Sequence, residues 1–188
     1  MVGTAEVIET MAAMVIFSLI LLSANRMIIR NTNMQVQGEV EQEVVALAQN
    51  IIEESRTKEF DELSKGAAPP AHIPGDFTAP GSLGPDDEAA DPDDPNSDDD
   101  LNKDGTYQRS EFDDFDDYNG WEDTITTEHG QFKIWAKVFY VNTSTYTKSS
   151  SRTTFKKIQV FVSSKYLNKS SSDSAKYHFE FIRNYYAD

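Results

Sequence analysis

Residues 7–24 read VIETMAAMVIFSLILLSA, an apolar run broken only by Glu9, Thr10 and small hydroxyl residues such as Ser18. As a helix it would reach about 27 Å at 1.5 Å per residue, close to the hydrocarbon thickness of a bilayer. Water is a poor solvent for such a surface, so the run predicts a membrane stage. Arg26 and Arg30 stand where a headgroup boundary would fall. Residues 1–5 contain no Lys or Arg, which argues against a secretory signal peptide. A plain anchor would not place Glu6 and Glu9 at the start of the run, because an unpaired carboxylate in hydrocarbon costs several kcal/mol. These acids need a cationic mate.

The helix pattern continues past the apolar run. No proline occurs before Pro69, and Gly38 is the only glycine between Gly3 and Gly66. Val40, Val44, Leu47 and Ile51 recur at spacings of four, three and four among Glu39, Glu41, Gln42, Glu43 and Asn50, the signature of an amphipathic helix. One helix over the first third of the chain is therefore predicted, greasy all round in its first half and striped in its second.

The segment Ala5-Glu6-Val7-Ile8-Glu9-Thr10-Met11, followed by apolar residues, resembles the mature N-terminus of type IV pilins and pseudopilins. Leu47 to Arg56, ending in Phe60-Asp61, resembles the later helix of some minor pilins. The resemblance implies a pilin-like α+β fold, a long N-terminal helix packed on a small C-terminal antiparallel sheet. It also implies a homopolymer whose helices, through residues such as Val7, Ile8, Met11, Val15, Phe17 and Leu21, bundle into a filament core after passing through the inner membrane. In that family a glutamate neutralises the N-terminal amine of a neighbouring subunit and sets axial register. Glu9 fits that role by local sequence, with Glu6 as the fallback. The chain departs from the family in having only Met1 and Val2 before Gly3, and in lacking helix-melting glycine or proline between Ala5 and Met34.

The formal charge of −15 hides three regions. Residues 1–65, the helix, hold ten acids and five bases. A connector over 66–123 includes seventeen acids between 86 and 123, against Lys103 and Arg109 alone. The head over 124–188 reverses sign, with ten bases and three acids from 131 onward. An acidic chain is repelled by phosphate backbones, and its basic tail lacks the clustered Arg and aromatic stacking layout of nucleic-acid binders, so nucleic acid is not expected as a partner. Cysteine is absent, so a fold exposed outside the cell needs a staple other than a disulfide.

All seven prolines lie between 69 and 95, which forbids a regular helix or central strand there. Next comes Asp100-Leu101-Asn102-Lys103-Asp104-Gly105-Thr106-Tyr107-Gln108-Arg109-Ser110-Glu111, which meets the twelve-residue EF-hand pattern at every constrained position. Ca²⁺ takes six to eight hard oxygens. Asp100, Asn102 and Asp104 offer side-chain oxygens, Thr106 its carbonyl, Gln108 a direct or water-mediated contact, and Glu111 a bidentate carboxylate. Pro92 and Pro95 forbid a regular entering helix, so the loop resembles isolated, dockerin-like structural clamps and not a paired sensor. For Asp113–Asp117 two readings stand. Either Phe112, Phe115 and Trp121 pin the segment to the head while its acids hold a second ion, or it is a helical turn with exposed acids.

Alternation of Phe132, Ile134, Ala136, Val138 and Tyr140 predicts a strand over 131–141. Residues 154–163, through Ile158, Val160 and Val162, and 176–186, through Tyr177, Phe179, Phe181 and Tyr185, predict two more and hence an antiparallel meander. Its apolar face is expected to cover the Val40–Ile51 stripe. Lys133, Lys137, Lys157 and Lys165 fall on the outer face, as solubilising charges, edge protection or a surface for a neighbour's acidic loop. His72, His129 and His178 have no paired ligand spacing, and no phosphate loop or nucleophile motif is present. An enzyme or a small-molecule substrate is not expected. The readings left are a filament subunit, a minor pseudopilin of a secretion or uptake machine, and a membrane-anchored calcium-binding surface protein that does not polymerise.

Overall fold

The computed structural model describes residues 3–64, 70–85, 107–167 and 175–186. One helix, α1 (Thr4–Thr57), is followed by four strands: β1 (Glu122–Thr127), β2 (Gly130–Tyr140), β3 (Phe155–Ser164) and β4 (Ala175–Asn184). The strands pair antiparallel in the order β1-β2-β3-β4, a meander. The chain divides into two compact units, Met1–Gln42 and Glu43–Asp188. The fold is α+β, a long helix packed on a small antiparallel sheet.

Within the second unit the C-terminal turns of α1 lie on the sheet. Val44, Ala48, Ile51 and Ser55 are fully buried there. The buried stripe thus passes through Ala48, whereas the sequence spacing selects Leu47, which is only half-buried. The sheet's inner face is the predicted one: Phe132, Ile134, Ala136, Val138 and Tyr140 from β2, with Ile158, Val160 and Val162 from β3, are all buried. Tyr177, Phe179 and Phe181 of β4 share that side by register and are half-buried.

The sheet has four strands and not three. β1 escapes sequence reading because it is an edge strand with Ile125 as its one aliphatic residue and no buried side chain. The connector residues 70–85 add a second cluster at one end of the sheet, where Phe60, Phe77 and Tyr185 meet with ring centroids 5.1–5.4 Å apart beside Leu83 and Tyr140. Asn119 ties this layer down by donating to the Leu83 carbonyl (2.8 Å) and accepting the Val138 amide (3.0 Å). Gly120, at φ 88°, makes the turn that lets its N–H reach the Ala136 carbonyl (3.2 Å), a backbone region costly for any side chain.

Candidate functional site

Every described residue from Gly3 to Val36 is exposed, among them Val7, Ile8, Met11, Val15, Phe17 and Leu21 at 47–67%. One window of α1 is long and apolar enough to cross a membrane. Its polar interruptions are mostly satisfied within the helix: Thr10 donates to the Val7 carbonyl (2.9 Å) and Ser18 to that of Met14 (2.8 Å). Glu6 turns back to accept the Gly3 amide (3.2 Å), capping the helix N-terminus, where negative charge also suits the helix dipole. Glu9, one turn further in, makes no hydrogen bond or ion pair among the described residues. The two acids are thereby distinguished in a way the sequence does not show.

Of the residues expected to hold calcium, Asp100, Asn102, Asp104 and Thr106 lie outside the described residues. Gln108 and Glu111 lie within them and form a tight turn, in which the Glu111 amide donates to the Gln108 carbonyl (2.8 Å) and the Gln108 amide to Glu111 Oε2 (3.2 Å). This turn borders a cleft of about 490 Å³ walled by Glu54, Arg109, Trp121, Glu122 and Asp123. Arg109 Nε sits 3.3 Å from Glu54 Oε2 and its guanidinium lies over the Trp121 ring at 5.5 Å. Tyr118 donates to the other Glu54 oxygen (2.9 Å), and burial, followed by the Glu54 charge, pushes its phenol far above the usual range. The exit of the loop is thus fastened to α1 through Glu54. Among the described residues no group of three or more His, Cys, Asp or Glu side chains is placed to hold a metal ion.

The acids of 113–117 are not an exposed helical turn. Asp114, Asp116 and Asp117 are buried together with the aromatic residues Phe112, Phe115 and Tyr118. Burial is tolerated because each carboxylate has donors. Asp114 Oδ1 accepts the amides of Asp116 (2.6 Å) and Asp117 (3.3 Å), and Asp117 Oδ2 accepts those of Asp113 (2.9 Å) and Asp114 (2.7 Å). Asp116 meets the buried ammonium of Lys156.

Lys156, on the inner face of β3, is the centre of a charge cluster missed by sequence reading. Its Nζ contacts Asp116 Oδ1 and donates to Asp61 Oδ2 and the Phe60 carbonyl, both at 2.7 Å. Asp61 is further held by the Thr78 amide (3.0 Å to Oδ2), the Thr78 hydroxyl (3.2 Å) and the Tyr140 hydroxyl (3.2 Å). Burial, with the Asp114 charge adding, pushes the Asp116 carboxyl well above the usual carboxylate range. Burial acts to lower Lys156, but Asp116, Asp114 and Asp61 outweigh it and hold the amine above the ordinary lysine value. Burial thus acts on the two groups in opposite directions, and the crowd of carboxylates raises both. Nearby, buried Arg183 donates to the Glu59 carbonyl (3.1 Å) and lies over Phe115 at 5.7 Å, closing off the C-terminal end of α1.

On the outer face of the sheet Lys133 pairs with Glu122 and Lys157 with Glu180, each at 2.9 Å. Between them Trp135, Phe161 and His178 stack across three strands at 5.3 and 4.7 Å, nearly parallel. Comparison with protein-family models, with curated proteins and with solved structures finds no match to this chain.

Proposed function

We propose that the chain is the structural subunit of an extracellular, type IV pilus-like filament, membrane-inserted before assembly and polymerised through the first half of α1. The observation that carries this reading is the contrast within one helix: residues 3–36 expose their apolar side chains while the same helix, from Glu43, completes a packed head. An exposed apolar surface of that length needs a covering, in lipid or in a bundle of like helices. Glu9 favours the bundle. A carboxylate in the apolar run with no partner among the described residues is stabilised when a neighbour's ammonium meets it, and such a pair fixes axial register as well as offsetting burial. The hydrocarbon of a bilayer offers no such mate.

In this reading the head carries one Ca²⁺ in the Asp100–Glu111 loop, as a structural clamp on the acidic connector. The fastening of the loop's exit to Glu54 supports a clamp that acts on α1 as well as on the connector. Chelation should then open residues 86–123 to protease, and Asp104→Ala should do the same without chelator. An unchanged digestion pattern in both would remove the ion.

Electron microscopy of material sheared from expressing cells tests the assembly reading. Filaments are expected from the wild type, and few or none from Glu9→Ala, with the head still folded. Normal filament yield from both Glu9→Ala and Glu6→Ala would remove the register mechanism, and a shear fraction without filaments would favour a solitary membrane anchor.

A further inference from the structure

We propose that Lys156 and Asp116 join in an intramolecular amide bond that the folded head forms on itself, with Asp61 carrying the proton between them. The juxtaposition is specific. The side chains of Lys156 and Asp61 are 0% exposed and that of Asp116 3%, so the amine is held against a carboxyl oxygen of each acid where water does not reach. Holding amine and carboxyl together in this way replaces a bimolecular encounter, an advantage equivalent to effective concentrations of about 10⁵–10⁸ M in well-oriented systems. Excluding water also protects the amide from hydrolysis.

The three ammonium protons have three distinct acceptors: Asp116, Asp61 and the Phe60 carbonyl. Asp61 takes one proton from the ammonium, and the freed amine attacks Cγ of the Asp116 carboxyl. Burial and the neighbouring Asp114 charge favour the protonated form of that carboxyl, the form that can lose water. Asp61 delivers its proton to the departing hydroxyl, which leaves as water, and takes the second amine proton in exchange. One C–N bond forms, one C–O bond breaks, and no electrons change hands. The third proton stays on the new amide nitrogen, already aimed at the Phe60 carbonyl. Thr78 and Tyr140 hold Asp61 in place for the transfer, and the rings of Phe60 and Tyr140, 4.7 and 5.4 Å from Nζ, wall the site.

Such a bond would tie the segment before β1 to β3 and restrict the unfolded chain as a disulfide does. The chain has no cysteine to provide that restraint. The proposal is independent of assembly and of calcium.

Intact-mass spectrometry of the full-length protein in detergent, followed by denaturing tryptic digestion, tests it. The expected wild type is lighter by one water, is not cleaved after Lys156, and yields a branched peptide containing Asp116 and Lys156. Amine acylation of the denatured chain should modify the other lysines and spare Lys156. Asp116→Ala and Lys156→Arg should each show the full mass calculated for the variant. A folded wild type at full mass with Lys156 freely acylated overturns the proposal whether or not those variants fold. Loss of water without the branched peptide also overturns it. Asp61→Asn should crosslink more slowly than wild type, and an equal rate would take the proton-carrying role from Asp61.

Discussion

The two halves of α1 are one continuous helix of 54 residues and yet obey different solvents. In the first half, large apolar side chains such as Ile20 are 60% exposed, and the hydroxyls are tied to the helix's own carbonyls. In the second half, side chains of the same kind, Val44 and Ile51, are 0% exposed, and the helix end is fastened by Glu54, Arg183 and the Lys156 cluster. The difference teaches that secondary structure is common to both regions and that the partner is what separates them. The head supplies its own partner, whereas the described residues of the front half stay exposed.

The largest effect should come from the head's interior. Lys156→Met takes from the buried Asp61 the nitrogen it is paired with and breaks any link to Asp116, which costs about 3–5 kcal/mol. Denaturant unfolding followed by circular dichroism should show the loss of the sheet signal at much lower denaturant, while the helical signal of the front half in detergent is retained. Unchanged unfolding would mean that the cluster is dispensable.

A matched pair of truncations sharpens the contrast next. Ile51→Ala should destabilise the head by about 2–5 kcal/mol through the lost methylenes and the cavity left behind. Ile20→Ala, the same change in the same helix, should alter head stability by less than about 0.5 kcal/mol. Equal effects would abolish the distinction between the halves.

A smaller effect appears on alkaline titration. Tyr118 and Tyr140 have folded-state values raised by burial and by nearby carboxylates, so their contribution is complete below the ordinary phenol value of about 10 and is lost as pH rises beyond it. Ultraviolet absorbance should show these two of the eight tyrosines ionising only as the head unfolds, and replacing both by Phe should remove that final absorbance step. Ionisation of all eight in one reversible step without unfolding would contradict their burial.

The least effect belongs to the outer face. Glu180 is held below the usual carboxylate range by hydrogen bonds from Lys157 and then Gln159, so its contribution is present above the ordinary glutamate value and is lost as pH falls through the lower folded one. The pair is partly exposed, and Lys157→Ala should cost no more than about 1 kcal/mol in denaturant unfolding. A larger loss would make this face part of the core.

Much of this architecture is legible in the sequence, because side-chain period reports burial wherever one face meets an apolar neighbour. The alternation from Phe132 to Tyr140 matches the buried face of β2 residue for residue. β1 is hidden because an edge strand buries too little to leave a pattern. The charge cluster is hidden for another reason. Asp61, Asp116 and Lys156 are far apart in the chain, and each reads alone as a solvated charge. One signal is present nonetheless: Lys156 is in phase with Ile158, Val160 and Val162 and so lies on the inner face. The acid pairs at 113–117 likewise read as exposed until their backbone donors are seen. Periodicity likewise leaves Glu6 and Glu9 equivalent, and only the Gly3–Glu6 hydrogen bond separates them.

The central claim is that the front of α1 is covered by copies of itself. A photo-crosslinking amino acid placed at Leu21 of the full chain and activated on intact expressing cells tests it most directly. Crosslinked products consisting of this chain joined to itself, and their loss with Glu9→Ala, are the predicted result. Crosslinks to lipid alone, with every copy of the chain recovered as a monomer, would contradict it.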